Sequence, residues 1–138
     1  MTRSVVLALV VALALAGCSG SKFSLSASEP QVEPNLVPAN LKAELLTFLQ
    51  VYLEDPTGVR DAFLAPPVLR PFGLENRYVA CVRYNSRDYE KKYSGGKEKA
   101  AIYFGGKLNQ FIDATPELCG GAQYQPFPEL QALKRLNS

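Results

Sequence analysis

The sequence predicts an α+β domain, with one amphipathic helix packed on a three- to four-stranded antiparallel meander. Two observations carry this. Leu41, Leu45, Phe48, Leu49 and Tyr52 recur at helical spacing and form one apolar face. Further along, three segments (76–84, 99–104 and 107–113) alternate in polarity and are separated by glycine-rich turns, the pattern of strands with two distinct faces.

The chain starts with a different kind of segment. Arg3 precedes an apolar run from Val5 to Leu15, and small residues come after it. That order of charge, apolar run and small residues is the order of a secretion signal. The run is too short to span a bilayer, which takes about 20 apolar residues. It ends in Leu15-Ala16-Gly17-Cys18, which resembles the lipobox of bacterial lipoproteins. The resemblance implies cleavage before Cys18, acylation of its thiol by a diacylglyceryl group, and often a third chain on the new amino group. Two or more chains hold a protein stably, where a single one holds it marginally. Ser19 stands where the family places aspartate for inner-membrane retention, so the resemblance favours the outer membrane. The expected organisation is a signal peptide over 1–17, a lipidated Cys18 with a flexible tether over 18–38, and a small α+β domain over 39–138. Residues 19–38 are rich in serine and proline and lack apolar periodicity, which suits a tether. The alternative is that Leu36 and Val37 begin to pack on the domain.

With Cys18 consumed by lipid, Cys81 and Cys119 remain as an even pair in an oxidising compartment. This argues for a disulfide that staples the domain. Two separate buried thiols are the alternative. A redox-active pair is disfavoured because there is no Cys-x-x-Cys spacing.

Asn40 is placed to cap the helix, expected over 40–54, and Asp55-Pro56-Thr57-Gly58 to end it. Residues 59–64 are a possible strand. Pro66, Pro67 and Pro71 confine the next segment to an edge or an irregular crossing. In 76–84, Tyr78, Ala80, Val82 and Tyr84 share one face, with Val79, Cys81 and Arg83 on the other. Gly105-Gly106 fits a two-residue hairpin turn, because both positions take positive φ there. In the returning strand Leu108 and Ile112 are expected to alternate on one side. Pro128 is suited to open a short terminal helix carrying Leu130, Leu133 and Leu136.

Composition excludes several chemistries. The chain of 138 residues has no histidine, which rules out histidine bases and histidine metal ligands. The formal charge of +2 falls near neutral once Arg3 is removed, so nothing points to nucleic acid. The carboxylates lack a telling spacing, no Gly-x-Ser-x-Gly elbow occurs, and the Gly-Gly pairs lack a phosphate-loop context. The expectation is a non-enzyme with no cofactor and no metal.

The best candidate for recognition is the segment 84–93. Its Tyr84, Arg87, Tyr89, Lys91 and Tyr93 combine the residue types favoured at interface centres within a polar loop. The competing reading is a solvated hairpin loop with its tyrosines folded back over the sheet edge. Residues 78–85, Lys107-Leu108 and 124–130 resemble small envelope lipoproteins of Gram-negative bacteria, a resemblance that implies no activity and transfers no catalytic residue. Together these features lead to a lipid-anchored structural or interaction module on the periplasmic side of a membrane, able to hold an envelope protein partner. The second reading is an inhibitor or sensor that binds an envelope enzyme or small ligand through the 84–96 loop. It is similar, in architecture and address only, to lipoprotein lysozyme inhibitors.

Overall fold

The structure, a computed structural model, describes residues 30–136. The expected signal peptide, Cys18 and residues 19–29 lie outside the described residues. Gln31–Ser138 belong to one compact unit.

The helical stripe folds as α1 (Leu41–Tyr52). Leu45 and Leu49 point inward and are fully buried, each worth about 1.5–3 kcal/mol. Phe48 and Tyr52 stack on each other and meet Phe111 edge-on, with all three ring centroids 5.0–5.1 Å apart. The Asn40 carbonyl accepts the Glu44 N–H at 3.0 Å, while its side chain makes no cap bond. The helix is shorter than the expected 40–54. Leu53 turns extended and enters the core, and the Asp-Pro-Thr-Gly segment begins a strand.

The sheet has six strands, more than the three or four expected: β1 (Asp55–Leu64), β2 (Val68–Phe72), β3 (Glu75–Arg87), β4 (Lys97–Phe104), β5 (Lys107–Asp113) and β6 (Gln125–Pro126). All pairings are antiparallel, but the order β5-β4-β3-β1-β6 is not a simple meander. The reason is the length of β3. Its second half pairs with β1 (Leu64 opposite Val82), and its first half pairs with β2 (Val68 opposite Val79). Thus β1 and β2 share one edge of β3, interrupted at Ala65-Pro66-Pro67, where proline removes the donors a continuous ladder needs. Pro71 lies in the edge strand β2, as its missing N–H requires.

Among the described residues three helices are present, the expected α1 and the short terminal helix at Pro128 together with an unexpected turn at Pro116 that covers the second face of the sheet. Besides α1, single turns form at α2 (Pro116–Cys119) and α3 (Pro128–Gln131). One core joins Leu45 and Leu49 of α1 and Leu130 of α3 to Ala80, Val82, Tyr84, Ala101 and Tyr103. The opposite face carries a second core, in which Val79, Cys81, Ala100 and Ile102 meet Leu118 and Cys119. Lys42 to Glu129 at 2.8 Å and Gln50 to the Lys134 carbonyl at 2.7 Å join α1 to the C-terminal segment.

The Gly105-Gly106 turn forms as expected, with φ of 56° and 75°. A side chain at Gly105 would also run into Val32, and the Gly105 N–H donates to the Pro34 carbonyl at 3.1 Å. Residues 32–37 of the expected tether therefore lie against this hairpin. In β5, Leu108 and Ile112 face opposite sides. A register shift leaves Asn109 without a partner between Leu108–Tyr103 and Gln110–Ile102. One inserted residue reverses the side-chain alternation, so Leu108 joins the first core and Ile112 the second.

Cys81 of β3 and Cys119 of α2 form a disulfide with a Cα–Cα distance of 5.8 Å. It fixes the one-turn helix covalently to the second face, where Leu118 also packs and Arg70 of β2 donates to the Gly120 carbonyl at 2.7 Å. Removing the bond with Cys81→Ala and Cys119→Ala should lower unfolding free energy by about 4 kcal/mol, given a closed loop of 38 residues. Urea unfolding of the native and doubly substituted proteins would measure it; a change below about 1 kcal/mol would contradict the assignment of this staple as the main restraint on α2.

Candidate functional site

The charged end of the sheet is built around Asp55, the first residue of β1, whose side chain has no exposed surface. Its Oδ1 accepts the Thr57 hydroxyl at 2.6 Å and the Thr57 N–H at 3.1 Å, the local turn that aspartate and threonine two residues apart favour. Three cations converge on the same carboxylate: Lys91 at 2.8 Å, Arg87 at 3.0 Å and Arg135 at 3.3 Å. Burial alone would raise the pKa of Asp55. The hydrogen bonds from Lys91 and Thr57 and the charge of Arg87 outweigh that and hold the carboxyl well below the usual carboxylate range.

The arch of β1 is shaped by Arg87. Between Asp55 and Arg60 the strand leaves its register with β3, and the guanidinium fills the gap. It donates to the Thr57 carbonyl at 3.1 Å and to the Thr57 hydroxyl at 2.9 Å. At Gly58, φ is 68° and a Cβ would lie 2.8 Å from the guanidinium carbon, so only glycine suits this position.

The loop after β3 is tightly built. Asp88 N–H donates to the Lys92 carbonyl at 2.9 Å, Lys91 N–H to the Asp88 carbonyl at 3.0 Å, and Lys92 N–H to Asp88 Oδ1 at 2.9 Å. Lys91 adopts φ 65°, an uncommon left-handed conformation for a lysine, which aims its ammonium at Asp55. Arg87 and Tyr93 close the loop as an isolated bridge. Tyr93 reaches back over β1, where its hydroxyl donates to the Gly58 carbonyl at 2.5 Å and its ring lies 3.6 Å from the Arg60 guanidinium carbon.

The five predicted recognition residues thus occupy different places. Tyr84 is buried in the first core, where desolvation raises its pKa. Arg87 and Lys91 hold Asp55, and Tyr93 clasps β1. Tyr89 stands at the tip, 77% exposed, with its N–H donating to Glu54 at 3.2 Å. Sequence reasoning misses Asp55 because Asp-Pro-Thr-Gly looks like a helix stop. The Asp-x-Thr spacing is the only signal of its turn.

Beside the loop is a polar depression of about 130 Å³, lined in part by Glu54, Ser86, Arg87, Asp88, Ser94 and Lys97. It is smaller than the pockets that enclose drug-sized ligands. Its two carboxylates serve the loop, Glu54 through the Tyr89 N–H and Asp88 through the Lys92 N–H. Among the described residues, no three histidine, cysteine, aspartate or glutamate side chains converge to hold a metal, and no helix is long and apolar enough to cross a membrane. No protein-family model matches the chain, and no curated protein or solved structure matches it.

Asp55→Asn should destabilise the protein by about 2–3 kcal/mol at pH 7, less than a fully buried pair because Lys91 and Arg135 are half-exposed. The folded-state pKa of Asp55 is depressed, so its contribution is complete above the unfolded value of about 3.9 and is lost as pH falls through the folded value. Urea midpoints of native and variant protein should therefore approach each other as pH is lowered from neutrality into the acid range. A gap independent of pH would refute the charged state of Asp55.

Proposed function

We propose that the chain is a bacterial envelope lipoprotein, held to a membrane by acyl groups on Cys18 and acting as a non-enzymatic structural or interaction module on the periplasmic side. The observation that carries this reading is Leu15-Ala16-Gly17-Cys18 at the end of a short basic-then-apolar segment. The Cys81–Cys119 disulfide supports it in two ways: such bonds persist in exported proteins, and this one leaves Cys18 as the odd thiol. The carboxylates of the charged end also fit a module without chemistry of its own, since they are engaged in holding β1 and the 88–92 turn.

Export and lipidation have a direct test. The native protein, extracted from membranes of a bacterium that makes it, should begin at an acylated Cys18 by intact-mass analysis. Cys18→Ser should leave the protein soluble in the periplasm or as an uncleaved precursor. A native product that keeps an unmodified Met1 would overturn the reading.

A second reading, an inhibitor or sensor that engages an envelope enzyme or small ligand, is favoured by the presentation of Tyr89. An exposed aromatic ring on a hydrogen-bonded turn costs little ordering entropy on binding. Under this reading Tyr89→Ala abolishes capture of the envelope partner without changing the melting temperature. Arg87→Ala, by contrast, lowers the melting temperature because it removes a partner of Asp55. Crosslinking in intact cells with native and Tyr89→Ala protein separates the readings, since a stable assembly partner retained by the variant favours the structural module.

A further inference from the structure

The opposite end of the sheet is chemically unlike the charged one. There the β2–β3 and β4–β5 turns lie side by side, because Tyr78 near the start of β3 pairs with Tyr103 near the end of β4. Leu74 caps the first turn and is fully exposed. Phe104 is partly exposed and shares a shallow depression with Leu74 and Phe72. Val32, Leu36 and Val37, all about half exposed, flank the second turn through Gly105 and Gly106. A single exposed apolar residue needs no explanation, but a cluster of five at one end marks a contact surface. The charges here are few. Arg77 pairs with Glu75 and lies over the Phe104 ring at 5.0 Å, and Lys107 and Glu33 stand exposed beside the glycine turn.

The chain itself indicates what covers this surface. Thirteen residue steps separate Cys18 from Gln31, and Val32 already sits against the glycine turn. Such a stretch reaches at most about 45 Å. With Cys18 in a membrane, the apolar end is therefore the part of the domain tied nearest to the lipid. Meanwhile β3, with 13 residues at about 3.3 Å each, carries the charged loop roughly 40 Å away.

We infer that the β2–β3 and β4–β5 turns, led by Leu74 and Phe104, form a lipid-contacting surface that lays this end of the domain on the membrane and points the Tyr89 loop into the aqueous space. The inference rests on the acylation of Cys18 proposed above. Apolar side chains at a turn tip enter the headgroup boundary as the apolar face of an interfacial helix does, and the exposed Lys107 is compatible with anionic lipid there. The tether brings this surface to the bilayer at high effective concentration, so weak contact suffices.

The experiment uses full-length protein made and acylated in a bacterium, purified in detergent and reconstituted into vesicles of phosphatidylethanolamine with a minority of phosphatidylglycerol. Leu74→Cys and Tyr89→Cys each carry an environment-sensitive fluorophore, and quenching is read with a lipid-borne nitroxide and with aqueous iodide. The label at 74 should be quenched by the nitroxide and shielded from iodide by about fivefold relative to the label at 89. Leu74→Asp should abolish shielding of a label at Lys107→Cys without changing the melting temperature. Equal iodide access at 74 and 89 in acylated, vesicle-bound protein overturns the inference and leaves the anchor standing. Shielding at 74 that occurs without vesicles, or only when a second protein is added, assigns the surface to another copy or another partner and also overturns it. Absence of an acyl group on Cys18 overturns the anchor, and with it this inference.

Discussion

Both faces of β3 must be kept from water, and this constraint shapes the rest of the molecule. Val79 to Val82 are all buried, with successive side chains on opposite sides of the sheet. A sheet with one wet face would leave half of them exposed. The chain meets the requirement with two covers of unequal quality. On one side α1, a 12-residue helix, brings its apolar face, assisted by Phe127 and Leu130. On the other side a single helical turn supplies Leu118 and Cys119. Isolated helices that short do not persist in water. The disulfide makes up the difference by joining the thin cover to the strand it protects.

Asp55 solves a different problem at the charged end. Its three cationic partners come from β3, the loop after it and the C-terminal segment, up to 80 residues apart in sequence. One carboxylate therefore closes three long loops, and its value lies in that geometry as much as in the Coulomb energy of each pair. Burying a charge is costly unless its lone pairs are filled. Here the Thr57 N–H and hydroxyl complete the set. The same arrangement orders the 88–92 turn, since the left-handed Lys91 is tolerated where its ammonium is tied down.

The legible parts of the fold are those encoded locally. Helical periodicity locates α1, polarity alternation locates the central strands, and Gly105-Gly106 announces its hairpin. The alternation in 76–84 also assigns its two faces, which the two cores reproduce. The illegible parts depend on partners distant in sequence. The Asn109 bulge has no composition signal, yet it moves Leu108 to the other face from Ile112. The dipeptide Asp55-Pro56 has the local character of a stop, and only the cations that later surround Asp55 make it a strand start. Likewise, a loop of tyrosines and basic residues has the same composition whether those side chains await a partner or hold the fold together. Arg87 and Lys91 are told apart from Tyr89 only by the position of Asp55.

The two ends of the sheet divide the labour of the surface. At the charged end most charged groups pair with one another, and an aromatic ring stands exposed on a hydrogen-bonded turn. At the other end, apolar side chains occupy turn positions where polar residues are the norm. Nothing in the packing of either core requires Leu74, which is fully exposed and absent from both. A lone exposed leucine needs no explanation, but this one shares its end of the sheet with Phe104, Val32, Leu36 and Val37. Val32 and Leu36 reach this end at the neighbouring turn, against Gly105 and Gly106. The 13-residue β3 strand joins this end to the far loop, so a restraint on one end of the sheet also orients the other.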